Sequence, residues 1–141
     1  TGVWTDNKDR VAFEESNVGQ TIGRNSTTWV GTMYDIDDMD LENGDVVLVQ
    51  FTFGARLTGG SGNDPIRFRI NMEKDFDNVA GGTTVALENF ENNRGEFAQV
   101  AIQHLFSINS NGQYTFRLQV DMAGTDDDVQ ISHVSMSAVK F

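Results

Sequence analysis

Residues 45–58 read DVVLVQFTFGARLT, and in them Val47, Val49, Phe51, Phe53, Ala55 and Leu57 recur at every second position. Successive side chains of a β-strand point to opposite faces, so this spacing describes a half-buried strand and not a helix face. The same rule reads QYTFRLQVDM (113–122): Tyr114, Phe116, Leu118, Val120 and Met122 share one face, and Thr115, Arg117, Gln119 and Asp121 the other. In PIRFRINMEK (65–74), Ile66, Phe68, Ile70 and Met72 alternate with Arg67, Arg69, Asn71 and Glu73.

Working outward, RVAFEE (10–15), TTWVGTMY (27–34), TTVALENF (83–90), FAQVAIQHLFSI (97–108) and VQISHVSMSAVKF (129–141) read as further strands, about eight in all. The separators LENGD, GGSGNDP, AGG, NNRGE, NSNG and AGTDDD are turn chemistry, in which Asn and Gly supply positive φ. The single proline, Pro65, stands at the start of a strand, where its missing N–H does no harm. SINSNGQY reads as a hairpin turn. No helical period is sustained. The expected fold is all-β: an antiparallel sandwich of about eight strands whose spacing favours a jelly roll over an immunoglobulin-like order. Residues 1–9 are expected to form an N-terminal arm, and 10–141 a single domain.

Ten Lys and Arg against 21 Asp and Glu leave a formal charge of −11. Such a balance repels phosphate backbones and anionic membranes, so neither nucleic acid nor a membrane is an expected partner. The N-terminal TGVWTDNKDR has no signal-peptide pattern, and no apolar run approaches a membrane span. Without cysteine, the chain has no disulfide, thiolate metal site or cysteine nucleophile.

The densest acidic stretch, YDIDDMDLENGD, carries Asp35, Asp37, Asp38, Asp40, Glu42 and Asp45. Hard oxygen ligands in a loop suit calcium, but the EF-hand spacing fails. Starting at Asp35 puts Met39 at the fifth position, and starting at Asp38 puts Asn43 at the glycine position. The stretch therefore reads as a solvated acidic loop. The weak alternative is an irregular calcium site on Asp35, Asp37, Asp38 and Asp40, completed by Asp126, Asp127 or Asp128.

His104 and His133 lie within predicted strands and read as structural. There is no nucleophile elbow, no metalloprotease helix motif and no phosphate loop, and two histidines cannot supply a three-histidine zinc site. With 21 acidic residues, a carboxylate pair at glycosidase spacing carries no information. The expectation is that the protein is not an enzyme and holds no cofactor. Trp29, inside a predicted strand, reads as core or interface and not as a sugar platform.

Arg67 and Arg69 point away from the core on the polar face of their strand, either solvated or meeting carboxylates of a neighbouring subunit. The arm TGVWTDNKD is too polar to pack alone, yet it carries Val3 and Trp4. A large indole should dock on something, so these four residues are the candidate partner contacts.

FSINSNGQYTFRLQV, followed by ISHVSMSAVKF ending on Phe141, resembles the hairpin and closing strand of C1q/TNF-like jelly rolls. Similar segments occur in small trimeric domains of bacteriophage fibres and capsid decoration proteins. The resemblance covers residues 97–141. It implies a homotrimer with the terminal strand near the threefold axis and loops presented outward. The resulting expectation is a virion structural protein, a capsid decoration knob or fibre tip bound to capsid or tail proteins. The same Gly, Tyr and Phe spacing also suits carbohydrate-binding modules. The alternative is therefore an extracellular module for a cell-surface glycan, with or without calcium.

Overall fold

The computed structural model describes residues 11–23, 28–58, 66–75, 77–82, 84–87, 97–122 and 128–141. The described residues form ten strands and no helix: β1 (Val11–Ser16), β2 (Gln20–Ile22), β3 (Val30–Leu41), β4 (Val46–Thr58), β5 (Ile66–Lys74), β6 (Asp77–Gly81), β7 (Val85–Leu87), β8 (Ala98–Ser107), β9 (Gly112–Asp121) and β10 (Asp128–Lys140). They build two antiparallel sheets. One, the β4 sheet, has the order β1-β10-β4-β8, with β2 also on β10. The other, the β5 sheet, has the order β3-β9-β5-β6, with β7 also on β5.

Alternation explains which faces meet. Val47, Val49, Phe51, Phe53, Ala55 and Leu57 are fully buried, as are Ile66, Phe68 and Ile70 from the facing sheet. Phe53 and Phe68 meet edge to face across the layers, with ring centroids 5.0 Å apart. Each such side chain contributes about 1.5–3 kcal/mol by leaving water, and in a cysteine-free chain this core is what holds the sheets together. Tyr34 closes one side of the sandwich: its buried hydroxyl lies 2.6 Å from the Val18 carbonyl oxygen and 3.1 Å from that of Ile131.

Three local expectations are corrected. Residues 35–41 belong to β3 and are not a loop; a bulge at Asp38, whose φ is 57°, shifts the register between Ile36 and Met39. Both flanking apolar side chains thereby face the core, and Asp37 and Asp38 face solvent. The short strands β2 and β6 carry too little periodicity to have been expected. SINSNGQY, finally, does not turn a hairpin: β8 pairs with β4, while β9 pairs with β3 and β5, so the segment crosses between sheets.

The reason lies in a second turn. The Gly44 N–H donates to the Ile108 carbonyl at 2.8 Å, the Ile108 N–H to the Asp45 carbonyl at 2.9 Å, and the Asn43 N–H to Asn111 Oδ1 at 2.8 Å. The β3–β4 and β8–β9 corners satisfy each other's backbone groups, which a closed hairpin would have satisfied internally. Among the described strands only β5 and β6 are both sequence neighbours and paired.

Candidate functional site

The two outer faces of the sandwich differ sharply in chemistry. On the β5 sheet, cross-strand register places Arg67 opposite Asp121, Arg69 opposite Gln119, Asn71 opposite Arg117, and Glu73 opposite Thr115. Arg67 Nη2 donates to Asp121 Oδ2, and the Asp121 side chain is only 3% exposed whereas that of Arg67 is about half exposed. Arg69 Nε donates to Gln119 Oε1 at 2.7 Å, and its guanidinium carbon lies 4.3 Å from the Trp29 ring centroid. Burial pulls the Arg69 pKa below its ordinary value, opposed by the charge of Asp121. A Cβ at Gly81 would stand 2.6 Å from Arg69 Nη1, so glycine there leaves room for the stacked guanidinium.

Arg117 is the hub of this face. Its Nε donates to Glu73 Oε2 at 2.9 Å, its Nη2 meets Asp35 Oδ2 at 2.9 Å, and its Nη1 donates to the Thr32 carbonyl at 2.9 Å. Asn71, which is buried, donates from Nδ2 to Asn78 Oδ1 at 2.7 Å, and Thr115 Oγ1 donates to Asp37 Oδ1 at 3.2 Å. Chemically the face is a ladder of hydrogen bonds and ion pairs made within one chain, with the exposed half of Arg67 and the half-buried Trp29 ring at its margin.

The candidate residues fall on this frame as follows. Arg67 and Arg69 direct their guanidinium groups to Asp121, Gln119 and Trp29 of the same chain. Asp35 pairs with Arg117 and Asp37 accepts from Thr115, while Asp38 and Asp40 are exposed. Among the described residues no group of three or more His, Asp or Glu side chains is placed to hold a metal. Val3, Trp4, the arm 1–9, Asp126 and Asp127 lie outside the described residues. His104 faces inward and meets Phe106 edge to face at 4.5 Å, and the exposed His133 sits at a bulge in β10 with φ 54°.

The outer face of the β4 sheet was not singled out by sequence reasoning. Its register produces four cross-strand rows. The first joins Phe13, Ser137, Gln50 and Gln103; the second, Val139, Leu48 and Leu105. A third joins Glu15, Ser135, Thr52 and Ala101. At the end of the sheet the Phe141 N–H donates to the Val46 carbonyl at 2.8 Å, and Val46 lies opposite Ser107. Glu15 is the one formally charged residue in these rows, although Lys, Arg, Asp and Glu make up 22% of the chain. Phe13 is 62% exposed, Leu105 54% and Phe141 66%. Thr52, Ala101 and Ser135 floor a groove of about 500 Å³ bordered by Phe13 and Gln103. The sequence signal for this face is the absence of charge at the off-core positions of β4 up to Gly54, of β8, and of β10 from Ser135 to Val139; Arg56 and Asp128 lie beyond these rows.

No protein-family model matches the chain, and no curated protein matches it. Solved structures do. The Eiger TNF of S. frugiperda is similar over 94% of this chain and 93% of its own, with TM-score 0.54 and 8% identity. The CBM22-1 xylan-binding domain of Paenibacillus barcinonensis Xyn10C is similar over 93% of this chain and 83% of its own, with TM-score 0.52 and 14% identity. VP2 of the infectious bursal disease virus subviral particle is similar over 92% of this chain and 32% of its own, with TM-score 0.52 and 12% identity.

The chain is a jelly-roll β-sandwich. At these identities the likeness shows the fold alone, and jelly rolls serve unrelated roles. The expected resemblance to TNF-like jelly rolls holds at that level, none of these structures tests the bacteriophage part of it, and the fold is shared equally with a xylan-binding domain.

Proposed function

We propose that this chain is a non-enzymatic structural domain of a virion, a homotrimeric capsid decoration knob or fibre tip that assembles through the outer face of its β4 sheet. The observation that carries this reading is that the four cross-strand rows at the middle and one end of that face hold a single charged residue, Glu15. Copies bearing a formal charge of −11 repel one another, so they associate most readily through a surface from which charge has been withdrawn. Charge depletion with exposed aromatic and aliphatic side chains is also the compositional mark of an interface centre. The resemblance of residues 97–141 to trimeric phage domains and the fold likeness to a TNF and to a viral capsid protein are consistent with it. Capsid or tail proteins would be its further partners.

Light scattering coupled to gel filtration tests the reading. A trimer mass at micromolar concentration is expected, falling to a monomer mass in Leu105→Arg with the circular dichroism of the sheets retained. A monomeric parent protein overturns it.

A second reading, a carbohydrate-binding module, is favoured by the half-buried Trp29 on the opposite face, whose ring stands with the Arg69 guanidinium 4.3 Å from its centroid. Specific binding on a glycan array, lost in Trp29→Ala, would establish that role in place of the structural one.

A further inference from the structure

Arg67 and Arg69 occupy successive outward positions of β5, and β9 sets Asp121 and Gln119 opposite them. This register gives two guanidinium groups one carboxylate. Arg67 Nη2 donates to Asp121 Oδ2, and Arg69 Nε goes to the neutral amide of Gln119 at 2.7 Å. Two cations and one anion leave a formal +1 at this place in a chain whose total is −11. Among the described residues neither guanidinium meets a second carboxylate, and Arg67 Nη1 and both Nη atoms of Arg69 have no hydrogen-bond acceptor. The donors are also held in place. Asp121 and Gln119 are buried, the Arg69 guanidinium is stacked on the Trp29 ring, and Gly81 leaves it room. Burial pulls the Arg69 pKa down because the cation is poorly solvated, a deficit that an added anion would reduce.

We propose that Arg67 and Arg69 bind the carboxylate of an acidic saccharide, a uronic or sialic acid unit of a glycan. The proposal rests on the sugar-binding reading of the β5-sheet face and names its ligand class; assembly through the outer face of the β4 sheet is a separate matter. A guanidinium presents N–H groups in a planar fork that matches the two oxygens of a carboxylate. The half-buried Trp29 indole beside it selects a sugar, since it offers apolar surface to the C–H groups of a rigid pyranose ring. An inorganic anion would use the guanidinium groups alone, and an acidic peptide brings its carboxylate on a flexible stem.

Titration calorimetry with two matched pairs of probes tests this: an oligogalacturonate against its methyl ester, and sialyllactose against lactose. The acidic member of one pair should bind at least about tenfold more tightly than its neutral partner, and its affinity should fall as salt is raised. Arg69→Lys keeps the charge and loses the fork, and should weaken that binding about tenfold. Gly81→Ala keeps every charge but sets a Cβ 2.6 Å from the position of Arg69 Nη1, and should weaken it too, with the circular dichroism of the sheets retained. The two variants are independent, so if one fails to fold the other decides. Equal binding of acidic and neutral partners overturns the carboxylate site and leaves the sugar-binding reading standing. Polyglutamate bound as tightly as the acidic saccharide overturns the choice of a sugar. Failure of both acidic saccharides to bind, or binding that folded variants leave unchanged, overturns the proposal.

Discussion

Arg117 on β9 reaches Asp35 on β3 at 2.9 Å, and yet the Asp35 carboxyl is pushed up to about 6. Burial is the largest cause. The guanidinium charge opposes it, and the neighbouring Asp37, through its charge and a hydrogen bond, raises it again, with Glu14 adding a little. One cation shared with Glu73 does not offset desolvation and the crowding of like charge.

The sign of the pH effect follows from this pair. Because the folded-state pKa lies above the ordinary 3.8, the native protein binds more protons than the unfolded chain between about pH 4 and 6. Asp35 therefore costs no stability below the unfolded pKa, and its ionisation subtracts stability progressively as pH rises through that window. Asp35→Asn should flatten the fall in melting temperature between pH 4 and 6.5 relative to the parent protein. Parallel curves for the two proteins would show that the Asp35 environment has been misjudged.

A double-mutant cycle on Arg67 and Asp121 should show strong coupling. The Asp121 carboxylate is almost wholly shielded from water, so Arg67→Ala removes the guanidinium bonded to it, with Arg69 still nearby, and should cost about 1–3 kcal/mol in urea unfolding. Asp121→Asn in the Arg67→Ala background should recover part of that loss. Additive single effects would mean that the two groups do not depend on one another.

The two joined corners make Gly44 a sensitive position. Its φ is 96°, and a Cβ there would meet nothing within 4 Å, so only backbone strain opposes a side chain. Gly44→Ala should cost about 1 kcal/mol. Gly23, equally open but without a positive φ, provides the control, and Gly23→Ala should shift stability by less than about 0.5 kcal/mol. Equal effects at both glycines would contradict the strain account.

Millimolar calcium should leave the melting temperature unchanged, because Asp35 and Asp37 are committed to Arg117 and Thr115, and Asp38 and Asp40 face solvent on separate sides of a bulge. A rise that saturates with calcium, together with a stoichiometric heat in titration calorimetry, would reveal a site and add weight to the sugar-binding alternative.

The strands were legible because their information is local. An alternation such as Val47, Val49, Phe51, Phe53 leaves one way to bury the apolar set, and a register slip by one residue would expose all of it. The ends of elements were less so: Asp35 to Asp40 looked like a loop because acidic residues suit one, and only the bulge at Asp38 shows how such a sequence stays in a strand. The partners of Arg67 and Arg69 were not legible at all, since Asp121 and Gln119 lie about fifty residues away in the chain.

The sequence by itself determined that this protein is built of strands, which phase of each strand forms the core, and that the surface is acidic, because each of these depends on neighbours two residues apart or on composition. Tertiary structure decided which strands pair. Asn-Gly and Ser-Asn-Gly supply the same backbone freedom whether a chain folds back on itself or crosses to another sheet, and the choice at residues 107–112 was made by hydrogen bonds to a corner more than sixty positions earlier. It also decided that the off-core residues of β1, β10, β4 and β8 lie side by side. Each strand contributes a few uncharged residues that mean little alone, and only the register Phe13–Ser137–Gln50–Gln103 joins them into one surface.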